Sequence, residues 1–210
     1  MVTVKLGPLL KEYSAQLFTW RNDESIFKWC RQVDLLTEIG HEKWMQSHQL
    51  DKTIKMYSII DTNYAGKKDN WNTTGLVGVC GLTDIDLINQ RAEFSLYIGP
   101  EFQKKGYAKA ALKLLLEIGF SRYPLKTIWG ETFEKNPAYN MFLTIGFKPD
   151  GTRRSFYFKD GHHIDAHLVS ITREEFNATK NINYHSFIAN SWLSVINNIS
   201  NDSSIEHGCP

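Results

Sequence analysis

The six residues from Gln103 to Ala108, in the order Gln-Lys-Lys-Gly-Tyr-Ala, form a segment that could bind an anion. They follow a strand-like stretch and open a helical one. The first backbone N–H groups of a helix have no partners inside it, and the helix dipole adds partial positive charge there. A pyrophosphate group satisfies both. Gly106 lets a ligand come close to the backbone, and the small Ala108 does the same.

Other interpretations of this segment stay open at this point, because short motifs match by chance. One is a surface helix that begins beside a solvated lysine pair, Lys104 and Lys105. A nucleotide-binding loop of the Walker type is excluded because no Gly-Lys-Ser/Thr follows. A dinucleotide-binding fingerprint is excluded because the segment has only one glycine.

Strands and helices are predicted on both sides of this segment by the spacing of apolar residues. The predicted strands are residues 2–6, 55–61, 75–85, 91–98 and 127–133, with a closing hairpin from 156–158 and 167–171. Gly7-Pro8 is expected to end the first strand. The predicted helices are 14–22, a short one capped by Ser25, 41–50, 109–120 and 137–145, with Gly146 ending the last.

The composition of the 210 residues is that of an ordinary globular protein, with 42% hydrophobic and 22% charged residues. A formal net charge of +1 gives no broad basic face for nucleic acid. Three cysteines without metal-ligand spacing indicate a reducing compartment, and hence the cytoplasm. No signal peptide or membrane span is predicted, and His162, His163 and His167 are not expected to hold a metal.

A wider set of residues resembles the GNAT acetyltransferase superfamily, in particular its branch of ribosomal-protein N-terminal and sugar-amine acetyltransferases. The segment 103–108 is similar to the family's Gln/Arg-x-x-Gly-x-Gly/Ala loop. The approach 92–102, the stretch 136–147 and the residues Arg173-Glu174-Glu175-Phe176 are similar as well. Trp20-Arg21-Asn22-Asp23 resembles the branch's first helices. The resemblance covers about 170 residues and ends near Phe176.

The resemblance implies an α/β domain with a mostly antiparallel sheet of about seven strands, flanked by helices and splayed between the strands 91–98 and 127–133. It implies a domain at 1–176. Apolar residues at helical spacing within 184–199 predict an amphipathic helical extension at 177–199, and the polar residues 200–210 predict a disordered tail. The extension would pack on the domain or form a homodimer contact. Neither a membrane nor nucleic acid is expected to bind to this protein.

Acetyl-CoA is the cosubstrate that the resemblance implies, without a metal. The backbone of Leu96, Tyr97 and Ile98 would pair with the pantetheine arm, and the amide of Ile98 or its neighbour would polarise the thioester carbonyl. The pyrophosphate would lie on the segment from Gln103 to Lys109, with Asn136 touching the cofactor. The residues of that phosphate-binding segment are Gln103, Lys104, Lys105, Gly106, Tyr107, Ala108 and Lys109.

A base is needed because an amine at neutral pH is mostly protonated and cannot attack a thioester. Glu93, on the polar face of the strand beside the cofactor, is the first candidate, and Glu131 on the next strand is the second. Either carboxylate could instead be structural, held by backbone groups or by Arg91.

The acid that protonates the leaving thiolate is less clear from the sequence. The family's tyrosine lies four residues before the Gly-Phe pair, and this chain has Phe142 there. Counting back also places Lys135, rather than Asn136, at the family's asparagine. Tyr139 is a candidate replacement, although it could be a packing aromatic, and water is another.

The function expected from these features is direct acetyl transfer to a primary amine, which could belong to a protein N-terminus, an amino sugar or a small amine. The alternative is a non-catalytic acyl-CoA-binding protein that keeps the fold, and the missing tyrosine motivates it. A nucleic-acid-binding domain is a third interpretation, which lacks a basic face.

Overall fold

The structure, a computed structural model, describes residues 2–63 and 75–179, and its centre is a seven-stranded sheet. The strands are β1 (Val4–Pro8), β2 (Lys55–Asp61), β3 (Leu76–Asp86), β4 (Arg91–Ile98), β5 (Thr127–Phe133), β6 (Lys148–Lys159) and β7 (His162–Thr172). Their order is β1-β2-β3-β4-β5-β7-β6, and every neighbouring pair is antiparallel except β4 and β5. The predicted fold class, a mixed α/β domain with a mostly antiparallel sheet, is confirmed.

The two faces of β4 carry different kinds of side chain, as its alternating sequence predicts. Ala92 and Phe94 are buried on one face, where the Phe94 ring packs on Phe142 and Phe147 with centroids 5.0 Å apart in each case. Glu93 and Tyr97, with Ser95 between them, lie on the opposite face. The strand therefore separates an apolar core from a polar cleft.

Within the described residues, six helices surround the sheet: α1 (Ser14–Asn22), α2 (Glu24–Phe27), α3 (Glu38–Leu50), α4 (Tyr107–Arg122), α5 (Ala138–Ile145) and α6 (Arg173–Ala178). Short 3₁₀ turns precede α1 and α4. The long α4 packs on the apolar face through Leu112, Leu115 and Leu116, all fully buried. Its Gly119 has no room for a side chain, because a Cβ there would lie 2.6 Å from Ile128 of β5.

The short helix α2 is capped differently from the prediction. Asp23, not Ser25, is its N-cap, and the Asp23 carboxylate accepts a hydrogen bond of 2.9 Å from the backbone N–H of Ser25. Asp23 has the extended backbone that an N-cap residue adopts, with φ −71° and ψ 134°. Thr37 caps α3 in the same way, so α3 begins three residues earlier than predicted.

The first strand and the closing hairpin also differ from the prediction in extent. β1 continues through Gly7 and Pro8, which is possible because β1 is an edge strand and Pro8 needs no partner for a missing N–H. The hairpin β6–β7 is much longer than predicted and turns at Asp160-Gly161, where Gly161 has φ +80°. Gly146, with φ +115°, ends α5 as predicted.

The sheet opens between β4 and β5. These two parallel strands pair at only three positions, the last joining Glu93 to Trp129, whereas β4 stays paired with β3 as far as Ile98. The splay predicted between the two strands is therefore present. The amphipathic helix predicted within 177–199 and the tail at 200–210 lie beyond Thr179, outside the described residues, and the domain limits stay predictions.

Candidate active site

Glu93 and Glu131 point from neighbouring strands into the place where the sheet opens. Their side chains are each only 3% exposed. Burial disfavours the charged form of a carboxyl group, and it is the main reason that the pKa of Glu93 is raised above its ordinary value. The Arg31 guanidinium opposes this rise. The structure thus brings the two predicted bases together across the splay.

Three cationic or hydroxyl side chains surround these carboxylates, and with them they form what we call the glutamate cluster: Arg31, Glu93, Glu131, Arg153 and Tyr157. Arg31 bridges the two glutamates, bonding Oε1 of Glu93 and lying 3.4 Å from Oε1 of Glu131. Arg153 donates to Oε2 of Glu131 at 2.8 Å, and the Tyr157 hydroxyl donates to Oε1. Sequence reasoning found the glutamates but none of these three partners.

The two glutamates differ in how many of their carboxylate oxygens already accept a hydrogen bond. Both oxygens of Glu131 accept hydrogen bonds, from Tyr157 and Arg153, and Arg31 adds a third contact. Within residues 2–63 and 75–179, the contacts of Glu93 involve Oε1 alone. Its other oxygen can therefore accept a proton without breaking an existing bond. This difference favours Glu93 as the base, which stays a prediction.

Tyr157 is a poor proton donor in this arrangement. Burial, followed by the hydrogen bond to Glu131 and the charge of that carboxylate, raises the pKa of Tyr157 to about 12. A phenol that donates to a carboxylate holds its proton more tightly than one in water. Tyr157 therefore fixes the orientation of Glu131 rather than supplying a proton.

Lys159, the last residue of β6, holds the loop that carries Arg31. It is 4% exposed, and its Nζ donates to three backbone carbonyls, of Phe27 at 2.6 Å, Cys30 at 2.9 Å and Gln32 at 3.3 Å. Its charge also lies 4.1 Å from the ring centroid of Phe27. Three acceptors that point at one ammonium fix the backbone on both sides of Arg31.

The predicted anion-binding segment forms an exposed loop at the start of α4. Gly106 is the N-cap, with φ +93°, and Lys104 is also left-handed, with φ +60°. A Cβ at Gly106 would meet only a Val2 methyl at 3.6 Å, so space above the loop is open. Glycine has no side chain with which to cap the helix, and the first amides of α4 are left for another acceptor. Lys105 and Lys109 are exposed beside them.

Two residues of this segment have structural contacts that the sequence did not reveal. The Tyr107 hydroxyl is buried and donates to Asp61 of β2 at 2.6 Å, so this ring anchors α4. Gln103 extends its amide to the carbonyl of Ile98 and to the Ser25 hydroxyl, both at 3.3 Å. The loop is thereby tied to the end of β4 and to α2.

The start of α5 contains Asn136, predicted to touch the cofactor, and Tyr139, the candidate acid for the leaving thiolate. Asn136 accepts a hydrogen bond of 3.0 Å from the N–H of Ala138, so its side-chain oxygen begins the helix, and Lys135 before it is left-handed with φ +65°. Tyr139 packs on His167 with ring centroids 4.9 Å apart. Phe142, not Tyr139, lines the cleft. The position expected for the family's tyrosine therefore carries an apolar ring in the cleft wall, and Tyr139 is not part of the lining described.

The cleft itself has a volume of about 280 Å³. Its walls come from β4, from β5, from α5 and from the loop between α2 and α3, and they include Arg31, Glu93, Leu96, Glu131 and Phe142. The lining thus combines charged side chains with the apolar Leu96 and Phe142. Such a cleft can hold a polar reacting group beside an aliphatic chain.

Comparison with known proteins decides the family. Residues 4–148 match the model of the acetyltransferase (GNAT) domain. The chain is 32% identical to the spermidine N(1)-acetyltransferase of Escherichia coli (strain K12) over 177 residues, which are 83% of this chain and 88% of that protein. The chain belongs to the GNAT acetyltransferase family.

Two further comparisons agree with this membership. An N-acetyltransferase of Bacillus licheniformis named p20 is 29% identical over 105 residues, 50% of this chain and 59% of that protein. The crystal structure of spermidine N-acetyltransferase from Vibrio cholerae in complex with CoA and spermine has a TM-score of 0.74. It is 21% identical and covers 83% of this chain and 98% of that chain, which establishes a shared fold.

As a GNAT acetyltransferase, this enzyme uses acetyl-CoA as its acetyl donor, as the resemblance implied. The alternative of a non-catalytic binding protein loses its support. Among residues 2–63 and 75–179, no three His, Cys, Asp or Glu side chains are grouped so that they could hold a metal. In the same part of the chain, no helix is long and apolar enough to cross a membrane.

Three features of the site had a sequence signal that was weak or absent. Arg153 was visible only as half of a basic pair with Arg154, and Lys159 only as the start of a turn. Arg31 belongs to no motif, because its partners lie about 60 and 100 residues away along the chain, at Glu93 and Glu131. An alignment of relatives, rather than a single sequence, is the signal that would reveal such partners.

Proposed function

We propose that this enzyme transfers the acetyl group of acetyl-CoA directly to a primary amine, with Glu93 as the base. The observation that carries the proposal is the position of Glu93 at the last paired residue before β4 and β5 separate. It is buried there, with one carboxylate oxygen unoccupied by any described residue. A raised carboxyl pKa brings a base closer to the pH at which it works.

The residues present fit acetyl-CoA at two places. The loop from Gln103 to Lys109 offers the uncapped amides of α4 and three exposed lysines to the pyrophosphate. Beyond Glu93, the edge of β4 that faces β5 has no strand partner within the described residues, so its backbone at Leu96 and the N–H of Ile98 are open to an extended chain, whereas the Ile98 carbonyl already accepts from Gln103. When bound, acetyl-CoA supplies the activated thioester whose acetyl group is transferred.

The transfer balances with the residues of this chain. The amine nitrogen forms a bond to the acetyl carbon, the carbon–sulfur bond breaks, and the proton that leaves the nitrogen goes to Glu93, directly or through a water. A backbone N–H of β4 near Ile98 donates to the carbonyl oxygen as negative charge develops on it. No covalent bond to the enzyme forms.

The leaving sulfur receives its proton from solvent in this scheme. Phe142 occupies the position where the family's tyrosine is expected, and Tyr139 packs against His167 instead. Thiols have a pKa of about 8.5, so a thiolate leaves without full protonation in the transition state. Water then suffices as the acid.

The acceptor can be a protein N-terminus, an amino sugar or a small amine. Relatives named spermidine acetyltransferases make a polyamine one specific candidate. The glutamate cluster is relevant to this choice, because each of its carboxylates already has an arginine partner. A cytoplasmic location and a homodimer remain predictions from the sequence.

The experiment that tests the proposal is release of free thiol from acetyl-CoA by the purified enzyme with a panel of amines. We expect turnover with at least one primary amine, acetylated product in the mass spectrum, and none with the matching tertiary amine. Calorimetry with CoA serves as the control for a folded donor site. Binding of CoA without turnover on a broad panel of N-termini, amino sugars and small amines would contradict the proposal.

A further inference from the structure

A second cavity, of about 320 Å³, adjoins the cleft on the far side of Tyr97. We call it the Tyr97 cavity. It shares Arg21, Gln32, Ser95 and Tyr97 with the cleft, so a molecule whose amine reaches Glu93 can extend into it. Leu36, Trp44 and Met56 supply apolar walls. Arg21 is the one Lys, Arg, Asp or Glu side chain among the described residues that line it.

Two buried polar atoms in this lining have no hydrogen-bond partner within the part of the chain that the structure describes. They are the Tyr97 hydroxyl and Nε2 of His41, whose residue is 2% exposed. His41 makes a hydrogen bond with the Ser14 backbone, which Nε2 does not take part in, and burial lowers the pKa of His41. The Ser14 backbone opposes this lowering. Buried polar groups of this kind usually have a partner.

Arg21 stands where the two cavities meet. Its guanidinium donates to Sγ of Cys30 at 2.7 Å and to the Gln32 side chain, and it lies 5.5 Å from the ring centroid of Tyr97. Among the described residues, no carboxylate forms an ion pair with it. Its position is set by neutral neighbours, and its charge is left for a ligand. A half-buried guanidinium binds carboxylate or phosphate groups well because its N–H groups form a planar fork.

The charges near the acceptor's path are unfavourable for a second ammonium. Glu93 and Glu131 are the carboxylates that line the cleft, and Arg31 and Arg153 already pair with them. An additional positive charge beyond the reacting amine would meet Arg21 and no free carboxylate in the described lining. Like charges at close range cost free energy, whereas an anion there gains it.

We infer that the acceptor is a primary amine that also carries an anionic group, a carboxylate or a phosphate, which binds Arg21 at the entrance to the Tyr97 cavity. The rest of its body lies in that cavity, where the Tyr97 hydroxyl and Nε2 of His41 bind its polar atoms. The inference rests on the proposed acetyl transfer and narrows its acceptor. It disfavours a linear polyamine.

The length of β4 between Glu93 and Tyr97 indicates how far apart the amine and the anionic group of the acceptor lie. Glu93 and Tyr97 are four residues apart on β4, which spans about 13 Å, and the Arg21 side chain lies over Tyr97. The amine and the anionic group of the acceptor are therefore separated by roughly 10 Å, as estimated from the rise per residue of a β-strand. Unbranched chains of about eight carbons match this distance.

Four acceptors of equal chain length test the inference: 8-aminooctanoate, 8-aminooctyl phosphate, octylamine and 1,8-diaminooctane, with spermidine added. Thiol release gives kcat/KM for each. We expect one or both anionic acceptors to exceed octylamine and the diamine by about tenfold or more, in line with one charge-assisted pair. Whichever of the carboxylate and phosphate acceptors has the higher kcat/KM identifies the anionic group.

Arg21→Gln is the matched variant, and Arg154→Gln, an exposed arginine on β6, is its control. Arg21→Gln should lower kcat/KM for the anionic acceptor much more than for octylamine, so that the preference for the anion is lost, and Arg21→Lys should restore part of the preference. An equal loss for all acceptors would indicate a merely structural role and overturn the inference. Should Arg21→Gln not fold, the ranking by the unmodified enzyme decides.

Failure of this inference and failure of the proposed function give different results. Turnover in which the diamine or spermidine equals or exceeds the anionic acceptors overturns the inference alone. No thiol release with any amine, although CoA binds, counts against the proposed acetyl transfer itself.

Discussion

The two sides of the cleft are built in different ways. The loop at the start of α4 is one continuous segment, from Gln103 to Lys109, whose lysines are exposed and form no ion pairs among the described residues. The glutamate cluster joins five side chains from the loop after α2, from β4, from β5 and from β6. Its carboxylates are buried and fully or partly paired.

This difference separates two tasks. A loop that presents backbone amides to a phosphate needs only local geometry, and its binding depends little on distant parts of the chain. A buried acid–base group needs its pKa and orientation set by neighbours, which must come from other strands. Changes in the loop should therefore affect the KM for acetyl-CoA, and changes in the cluster should affect kcat and its pH dependence.

The largest effect is expected from Glu93→Gln. The amide keeps the shape but cannot accept the amine proton, and general bases contribute about 100-fold or more to rate. We expect kcat to fall by about that factor while the KM for acetyl-CoA and the affinity for CoA stay unchanged. Steady-state thiol release and calorimetry measure these quantities.

Two further variants serve as a control and a comparison for Glu93→Gln. Glu174→Gln, on the exposed surface of α6, should leave kcat unchanged. Glu131→Gln should cost less than Glu93→Gln, since both Glu131 oxygens are already engaged by Arg153 and Tyr157. A larger loss from Glu131→Gln than from Glu93→Gln would reverse the assignment of the base.

The same contrast explains how much the sequence could reveal. Strands β2, β4 and β5 were predicted to the residue, because alternating or continuous apolar runs carry their signal locally. The loop before α4 was also predicted, from one glycine and two lysines in a strand-to-helix context. Both Glu93 and Glu131 were named as candidates, by resemblance and by their faces on the strands.

The arginines and the lysine around them could not be predicted in this way. The ammonium of Lys159 contacts carbonyls more than 120 residues away, and this contact depends on the length of the β6–β7 hairpin, which the sequence underestimated. Arg31 lies in an irregular loop without periodicity. Such contacts follow from tertiary packing, and no local pattern encodes them.

The second effect is a shift in the pH profile of Arg31→Met. Burial raises the pKa of Glu93, and the charge of Arg31 lowers it, so removal of Arg31 raises the pKa further. The base works only when ionised, and activity falls as the pH drops through its pKa. We expect the acid limb of kcat/KM to move to higher pH, with a loss of activity at pH values below the limb.

A pH–rate profile of both proteins, with calorimetry of CoA binding at each pH, measures this shift. Arg154→Met is the matched control and should keep the original limb. A limb that moves to lower pH, or stays in place while the overall rate drops, would mean that the ionisation of Glu93 does not set it.

The third effect is expected from Gly106→Ala, which tests the loop at the start of α4. Space for a Cβ is available, since the nearest atom would be a Val2 methyl at 3.6 Å, but φ is +93°. The left-handed region costs a non-glycine residue about 1 kcal/mol, which corresponds to about fivefold in binding. We expect the KM for acetyl-CoA to rise by about this factor with kcat and the amine KM unchanged.

Gly161→Ala provides a control with the same kind of strain. Gly161 has φ +80° in the β6–β7 turn, and a Cβ added there would meet no described atom within 4 Å. Both variants should lose similar thermal stability, but only Gly106→Ala should weaken acetyl-CoA binding. Equal KM values in the two proteins would show that the loop before α4 does not bind the donor.

The smallest effect is expected from Lys159→Met, which tests how the glutamate cluster is held. Methionine keeps the aliphatic part of the side chain and removes the ammonium, leaving the carbonyls of Phe27, Cys30 and Gln32 without that donor. Loss of a buried donor costs about 1–3 kcal/mol, or a decrease in Tm of roughly 2–10 °C for a domain of this size. We expect kcat/KM for the amine to fall only about threefold, because Arg21 still holds Cys30 and Gln32 and one hydrogen bond contributes about 0.5–1.5 kcal/mol net.

Thermal unfolding and steady-state kinetics measure both quantities for Lys159→Met, with exposed Lys113→Met on α4 as the control. The control removes an ammonium of the same kind from a solvated position, so it should change neither Tm nor kcat/KM. An unchanged Tm together with unchanged kinetics in Lys159→Met would mean that the loop carrying Arg31 holds its position without Lys159. The cluster would then be organised without Lys159, and the contrast with the self-contained loop before α4 would be smaller than the contacts of Lys159 indicate.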